Sequence, residues 1–135
     1  MIDMIKIIKS HLLKNETIAY YCTNRIRAYD LPESSDIGVP NILISPLMPP
    51  VPIEYGSNKT MAMEYHYQID VRSESEPIAK QISEEIRITM EKLGFGQTPG
   101  GSDQYDKTVK RFLDARRYEG VVYVTDDLKH LEKIL

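Results

Sequence analysis

The first apolar positions, Ile5, Ile8 and Leu12, recur at helical spacing with lysines largely opposite, which predicts an amphipathic helix over 2–13. Asp3 stands where a cap or first-turn carboxylate helps, and Lys14-Asn15-Glu16 ends the element. From Thr17 to Leu31 the pattern turns to alternation. Ile18, Tyr20, Cys22 and Ile26 face one way, and Thr23, Arg25 and Arg27 face the other. Tyr and Ile favour strands, so a β-strand with a break near Asn24 is expected, with Cys22 in its apolar face as a small buried hydrophobe.

The clearest alternation lies further on. Met61, Met63, Tyr65, Tyr67, Ile69 and Val71 interleave without error with Ala62, Glu64, His66, Gln68, Asp70 and Arg72. A strand of that length spans about 36 Å, roughly twice the usual. It is expected to be the spine of a sheet, either bending over the core or extending past it to offer an edge to another subunit. Ser73-Glu74-Ser75-Glu76-Pro77 is a helix-start pattern. The stripe Ile78, Ile82, Ile86, Met90 and Leu93 follows it, and Gly94 stops the helix. The charged residues opposite (Lys80, Glu84, Glu85, Arg87, Glu91, Lys92) read as a solvated face. Residues 95–104 are glycine-rich and read as a flexible connection. Pro99 interrupts them, and no lysine-serine pair follows to make a phosphate loop. Lys107 to Tyr118 and Val121 to Val124 then read as two strands with a turn or bulge at Gly120, and Asp126 to Leu135 as a short capped helix.

Between the first strand and the long one, residues 32–58 hold six of the eight prolines: Pro32, Pro40, Pro46, Pro49, Pro50 and Pro52. Proline removes a backbone donor and restricts its predecessor, so no helix or central strand is expected to run through. Ile42-Leu43-Ile44-Ser45 remains a candidate short strand. The apolar run from Pro46 to Ile53 reads either as a core-covering loop or as an arm that docks on a neighbour. Helix, strand, proline-rich excursion, strand, helix, two strands, helix: this order predicts one α+β domain with a mostly antiparallel sheet packed against helices.

Composition narrows the classes. The 135 residues fit one domain, and 41% hydrophobic with 27% charged residues is ordinary globular composition. A net charge of -3 argues against general affinity for DNA or anionic membrane. One cysteine excludes an intrachain disulfide, and charges interrupt the apolar N-terminus, so neither a signal peptide nor a membrane span is expected. A soluble, intracellular protein is the expectation.

Chemistry is sparse. His11, His66 and His130 lie on separate elements without spaced partners, so no metal site is expected, and His66 between Glu64 and Gln68 reads as part of a wet strand face. No serine sits in a nucleophile elbow. One constellation stands out: Asp103-Gln104-Tyr105-Asp106, followed by Asp114-Ala115-Arg116-Arg117-Tyr118. Adjacent arginines on a strand face opposite ways and cannot grip one phosphate. Asp114 shares a face with Arg116 and is expected to pair with it, with Asp103 or Asp106 reaching in from the loop. No catalytic residue and no cofactor is expected. The competing reading is a small metal-dependent nuclease using Asp103, Asp106 and Asp114; a third is a dimeric host binding module.

Tyr55-Gly56-Ser57-Asn58, the strand end Gln68-Ile69-Asp70-Val71, the helix stop Gly94-Phe95 and Asp114-Ala115-Arg116-Arg117-Tyr118 occur in an order and spacing that resemble a family. Over residues 18–124 the chain is similar to the tail-completion, or tail-to-head joining, proteins of siphoviruses of Gram-positive bacteria, related in fold to the tail terminator of phage lambda. The resemblance implies a homo-oligomer, a ring of typically six subunits at the head-proximal end of the tail tube. Its partners would be the major tail tube protein and the head–tail connector. DNA would pass through the lumen without specific binding, and no membrane would be involved. It implies a location in the virion tail, and in the host cytoplasm during assembly. The candidate interface is Pro46, Met48, Pro49, Pro50, Ile53 and Tyr55, with Asp114, Arg116 and Arg117 as structural or intersubunit salt-bridge residues.

Overall fold

The computed structural model describes residues 3–29, 39–55 and 59–123. Helix α1, Met4–Leu13, is capped by Asp3, whose side chain accepts from the Lys6 backbone N–H, and buries Met4, Ile7, Ile8, His11 and Leu12. Helix α2, Glu16–Cys22, corrects the expected strand. Asn15 does not merely end α1: its side chain accepts from the N–H groups of Thr17 and Ile18 and caps a second helix. Ile18 and Cys22 are four residues apart, which satisfies a helix face as well as a strand face. Only these two are buried in α2, while Tyr20 between them is 80% exposed. Strand character begins later, at β1, Ile26–Ala28.

Strand β2, Asn41–Pro46, pairs in parallel with β1 and antiparallel with the long β4, Lys59–Ser73. This is the short strand expected around Ile42–Ser45, but with a partner on each side it is internal to the sheet, where no central strand was expected. The reason is positional: Pro40 precedes the six-residue strand and Pro46 is its last residue, so neither interrupts it. Strand β3, Val51–Tyr55, carries Pro52 and, among the described residues, pairs only with β4. Residues 32–38 of the excursion lie outside the described residues, as do the expected helix at 126–135 and Gly56-Ser57-Asn58.

Strand β4 is the spine of the sheet. Its second half pairs with β2 and its first half with β3, while β6, Arg111–Tyr123, lines its other side from Ala62 to Ser73. Both sides of β4 are thus occupied, so among the described residues the sheet edges belong to β1, β3 and β5 rather than to the longest strand. Helix α3, Glu76–Lys92, starts at the Ser75 cap and buries Ile82, Ile86 and Met90; Gly94 follows with φ +88°.

The glycine-rich run after α3 is not a flexible connection but strand β5, Phe95–Asp106, antiparallel to β6. Its register shifts between Thr98 and Gly101, where Gly100 and Gly101 adopt φ of +111° and +104°. Glycine makes that bulge possible, and Pro99 falls inside it, where no ladder donor is required. Strand β6 continues unbroken through Gly120, which faces the Phe95 ring rather than marking a turn. A Cβ there would meet that ring at 2.7 Å.

The result is an α+β fold whose described part is a six-stranded, mostly antiparallel sheet, ordered β1-β2-β4-β6-β5 with β3 also on β4. The odd positions of β4 (Tyr65, Tyr67, Ile69, Val71) are buried in one core with α1, α2 and α3. Burying about a dozen such side chains, at roughly 1.5–3 kcal/mol each, is the main force holding helices to sheet. The even positions Glu64, His66, Gln68 and Arg72 stay half-buried on the opposite face.

Candidate functional sites

Four places bring together residues with more than a packing role. The first is an apolar groove of about 480 Å³ between the start of α1 and the loop after β2. Met4, Tyr29, Leu47, Met48, Pro49 and Tyr67 are among its walls, with Pro46 and Pro50 beside them. The loop is tied to its own sheet, because the Leu47 N–H donates to the His66 carbonyl at 2.9 Å. Leu47 and Met48 are 43% and 45% exposed and Tyr29 is 68% exposed, so the groove rim is apolar and wet. Its floor is firm: the Tyr65 and Tyr67 rings stack at 6.1 Å, and burial pushes both hydroxyls above their ordinary pKa. Of the expected interface residues, the structure gathers Pro46, Met48, Pro49 and Pro50 here. Ile53 and Tyr55 belong to the neighbouring edge strand β3.

A second apolar feature was not read from the sequence. Around the turn at 107–110, the β5–β6 hairpin exposes Tyr105 and Val109, and Tyr105 packs on Phe112 with ring centroids 4.7 Å apart. Asp106 accepts from the Thr108 N–H at 2.9 Å and holds the turn.

The third place is the polar cluster under α3. The Asp114 carboxylate, with a side chain only 4% exposed, accepts from Arg116 Nε at 3.0 Å and from Lys80 Nζ at 2.9 Å. Lys80 Nζ also reaches Asp103 at 2.7 Å, and Arg116 Nη1 reaches Glu84 at 3.2 Å. Burial alone would lower the Lys80 pKa, but its hydrogen bonds to Asp103 and Asp114 hold it above the ordinary value. Arg116 behaves likewise, with Asp114 as the main offset to burial. Hydrogen bonds from Arg87 and Arg116 hold the Glu84 carboxyl below its ordinary range.

The expected Asp114–Arg116 pair is therefore present, and Lys80 on the supposedly solvated helix face is its unforeseen third member. Asp103 and Asp114 face each other across the ladder, but an ammonium stands between them. Asp106 pairs with Arg111 three positions further along β5, on the opposite side of the strand. The three acids of the nuclease reading do not converge. Arg117, as expected, faces away from Arg116 and donates from Nε to Gln68 Oε1 at 3.1 Å.

On the sheet face away from the helices, His66 lies directly opposite Glu119 in the β4–β6 register, with Glu64 two residues earlier on the same face. His66 Nε2 is 2.9 Å from Glu64 Oε1, and Nδ1 is 3.7 Å from Glu119 Oε2. Sequence reasoning missed this row because Glu119 is 53 residues from His66 in the chain and only the strand register joins them. Of the other histidines, His11 is buried in α1, where burial, then Lys14 and Lys92, lower its pKa; His130 lies outside the described residues. Among the described residues no helix is long and apolar enough to cross a membrane.

No protein-family model matches the sequence, and no curated protein matches it significantly.

Proposed function

We propose that this chain is a structural phage protein that forms a ring at the head-proximal end of the tail tube, where it ends tube assembly, joins the tail to the head connector, or does both. The observation that supports it best is a pair of apolar features that one chain cannot bring together. Tyr67 lines the groove, and Ser73 lies opposite Phe112 at the exposed hairpin end. Six residues of extended strand separate these points by about 20 Å. A hollow and a protrusion on different parts of one surface make a heterologous contact, which closes into a ring when its rotation permits. The resemblance of residues 18–124 to tail-completion proteins adds the location and the partners, the tube protein and the head connector. The ion-pair network of Asp114 acts within the chain as a brace between α3 and the hairpin, in keeping with a non-catalytic role.

The test is deletion of the gene from its phage genome, followed by negative-stain electron microscopy of lysates. DNA-filled heads lying apart from tails, or tails of uncontrolled length, are the expected outcome. Complementation with Met48→Asp or Val109→Asp, each placing a charge in the contact, is expected to fail although both variants fold. Normal virions from the deletion would sink the proposal. Divalent-metal-dependent DNA cleavage by the purified protein, lost in Asp114→Asn, would replace it with the hydrolytic reading.

A further inference from the structure

We propose that Glu64, His66 and Glu119 form a binding site for a divalent cation of the zinc class. This does not depend on the tail reading. One ligand atom from each residue lies within 4.8 Å of the other two. The Nε2–Oε1 separation of 2.9 Å between His66 and Glu64 is already the edge of a shared coordination sphere. Nitrogen and oxygen ligands about 2.0–2.1 Å from one zinc ion, at octahedral or tetrahedral angles, lie about 2.9–3.3 Å from each other. Glu119 Oε2 stands 3.7 Å from the other ring nitrogen, Nδ1, and its side chain is 51% exposed, so an ion held at Nε2 requires that carboxylate to swing round to join it.

Charge favours the same occupant. Two carboxylates around a neutral imidazole make a site of charge −2, which one dication neutralises. An imidazole nitrogen with carboxylate oxygens selects zinc, cobalt, nickel or copper over magnesium and calcium, which prefer all-oxygen shells. The ligands are also held in place before any ion arrives. His66 and Glu119 are directly paired, and β4 is hydrogen-bonded along both sides at this level, by β6 and by β3 or β2. The backbone therefore moves little on binding, and only carboxylate rotation is required. Three protein ligands leave a coordination position for water or for a group from another molecule. The His66 ring lies between the two acids, 2.9 Å from Glu64 Oε1 and 3.7 Å from Glu119 Oε2.

The experiment uses the full chain purified without a histidine tag, stripped with EDTA, and titrated with zinc chloride by calorimetry and cobalt chloride by visible absorption. One saturable zinc per chain is expected, with a rise in thermal midpoint that EDTA reverses and no comparable rise with magnesium. His66→Ala is expected to lose both the zinc isotherm and the cobalt bands while keeping its far-ultraviolet circular dichroism. Glu119→Gln, at an exposed position that folding does not need, is expected to weaken zinc at least about tenfold, since even outer-shell changes cost that much. It decides the matter if His66→Ala fails to fold. No saturable zinc binding by the wild type, or binding unchanged in either variant, overturns the proposal.

Discussion

Removing the charge of Asp114 tests the mechanical role assigned to the cluster under α3. Asp114→Asn keeps the shape but withdraws the anion from Arg116, which it meets at 3.0 and 3.3 Å, and from Lys80 at 2.9 Å. Breaking a fully buried ion pair costs about 3–5 kcal/mol. Here the value is smaller for two reasons visible in the geometry. The Arg116 side chain is 20% exposed and so partly screened, and Lys80 keeps Asp103 at 2.7 Å. We expect a loss of about 2 kcal/mol for Asp114→Asn, which lowers the thermal midpoint by about 6–10 °C. A double-mutant cycle with Arg116→Gln isolates the pair, and its coupling is expected to be about 1–2 kcal/mol. Equilibrium urea unfolding, followed by circular dichroism at unchanged m, supplies the numbers. As a control, Arg87→Gln removes only exposed contacts to Glu84 and Glu91 on α3 and should leave the midpoint in place. Coupling below about 0.3 kcal/mol would refute the reasoning, because it would mean that Arg116 contributes nothing to holding Asp114.

Two further changes probe the sheet. Gly101→Ala puts a side chain at φ +104° with its Cβ 2.1 Å from the Ala115 carbonyl oxygen, so a loss of about 2–4 kcal/mol in urea unfolding is expected. Gly96→Ala, which meets nothing within 4 Å, should be close to neutral; equal effects at the two sites would contradict the bulge. Burial raises the Tyr118 hydroxyl from 10.0 to about 12. The folded state then keeps a proton that the unfolded state releases, so this stabilisation is complete below pH 10 and is lost as pH rises towards 12. Tyr118→Phe should flatten that part of a midpoint-against-pH curve, and an unchanged alkaline slope would show that Tyr118 is not the group responsible.

How much of this was legible beforehand depended on whether a pattern had one structural solution. The alternation from Met61 to Arg72 has only one, and α3 is marked at both ends by Ser75 and Gly94, so both elements stand where their residues indicate. Ile18 and Cys22 have two solutions, because a spacing of four fits strand and helix alike. The cap at Asn15 was the discriminating feature. The glycines of β5 were misleading for a different reason. Their freedom serves a bulge that exists only when β6 lies alongside, so no local pattern announces it. The same limit applied to Lys80, Phe95 and Glu119, whose roles come from partners 34, 25 and 53 residues away, at Asp114, Gly120 and His66.

That division bears on assembly. The long strand looked like the element to offer an edge to a neighbour, yet β2, β3 and β6 cover both its sides. Among the described residues the edges left are short in β1 and β3, and bulged in β5, where Gly100 and Gly101 break the even row of donors and acceptors. Short and bulged edges resist open-ended strand pairing. On the proposed ring reading such edges are an advantage, because contacts then pass through side chains of fixed shape and close a ring instead of extending a fibre. The groove beside Met48 and the hairpin end at Val109 are side-chain surfaces of that kind. If strand addition at β5 were the assembly mode instead, Thr98→Pro on that edge would abolish self-association while Met48→Asp left it intact. The side-chain mode requires Met48→Asp to be the disruptive change, so sedimentation of the two variants separates the mechanisms.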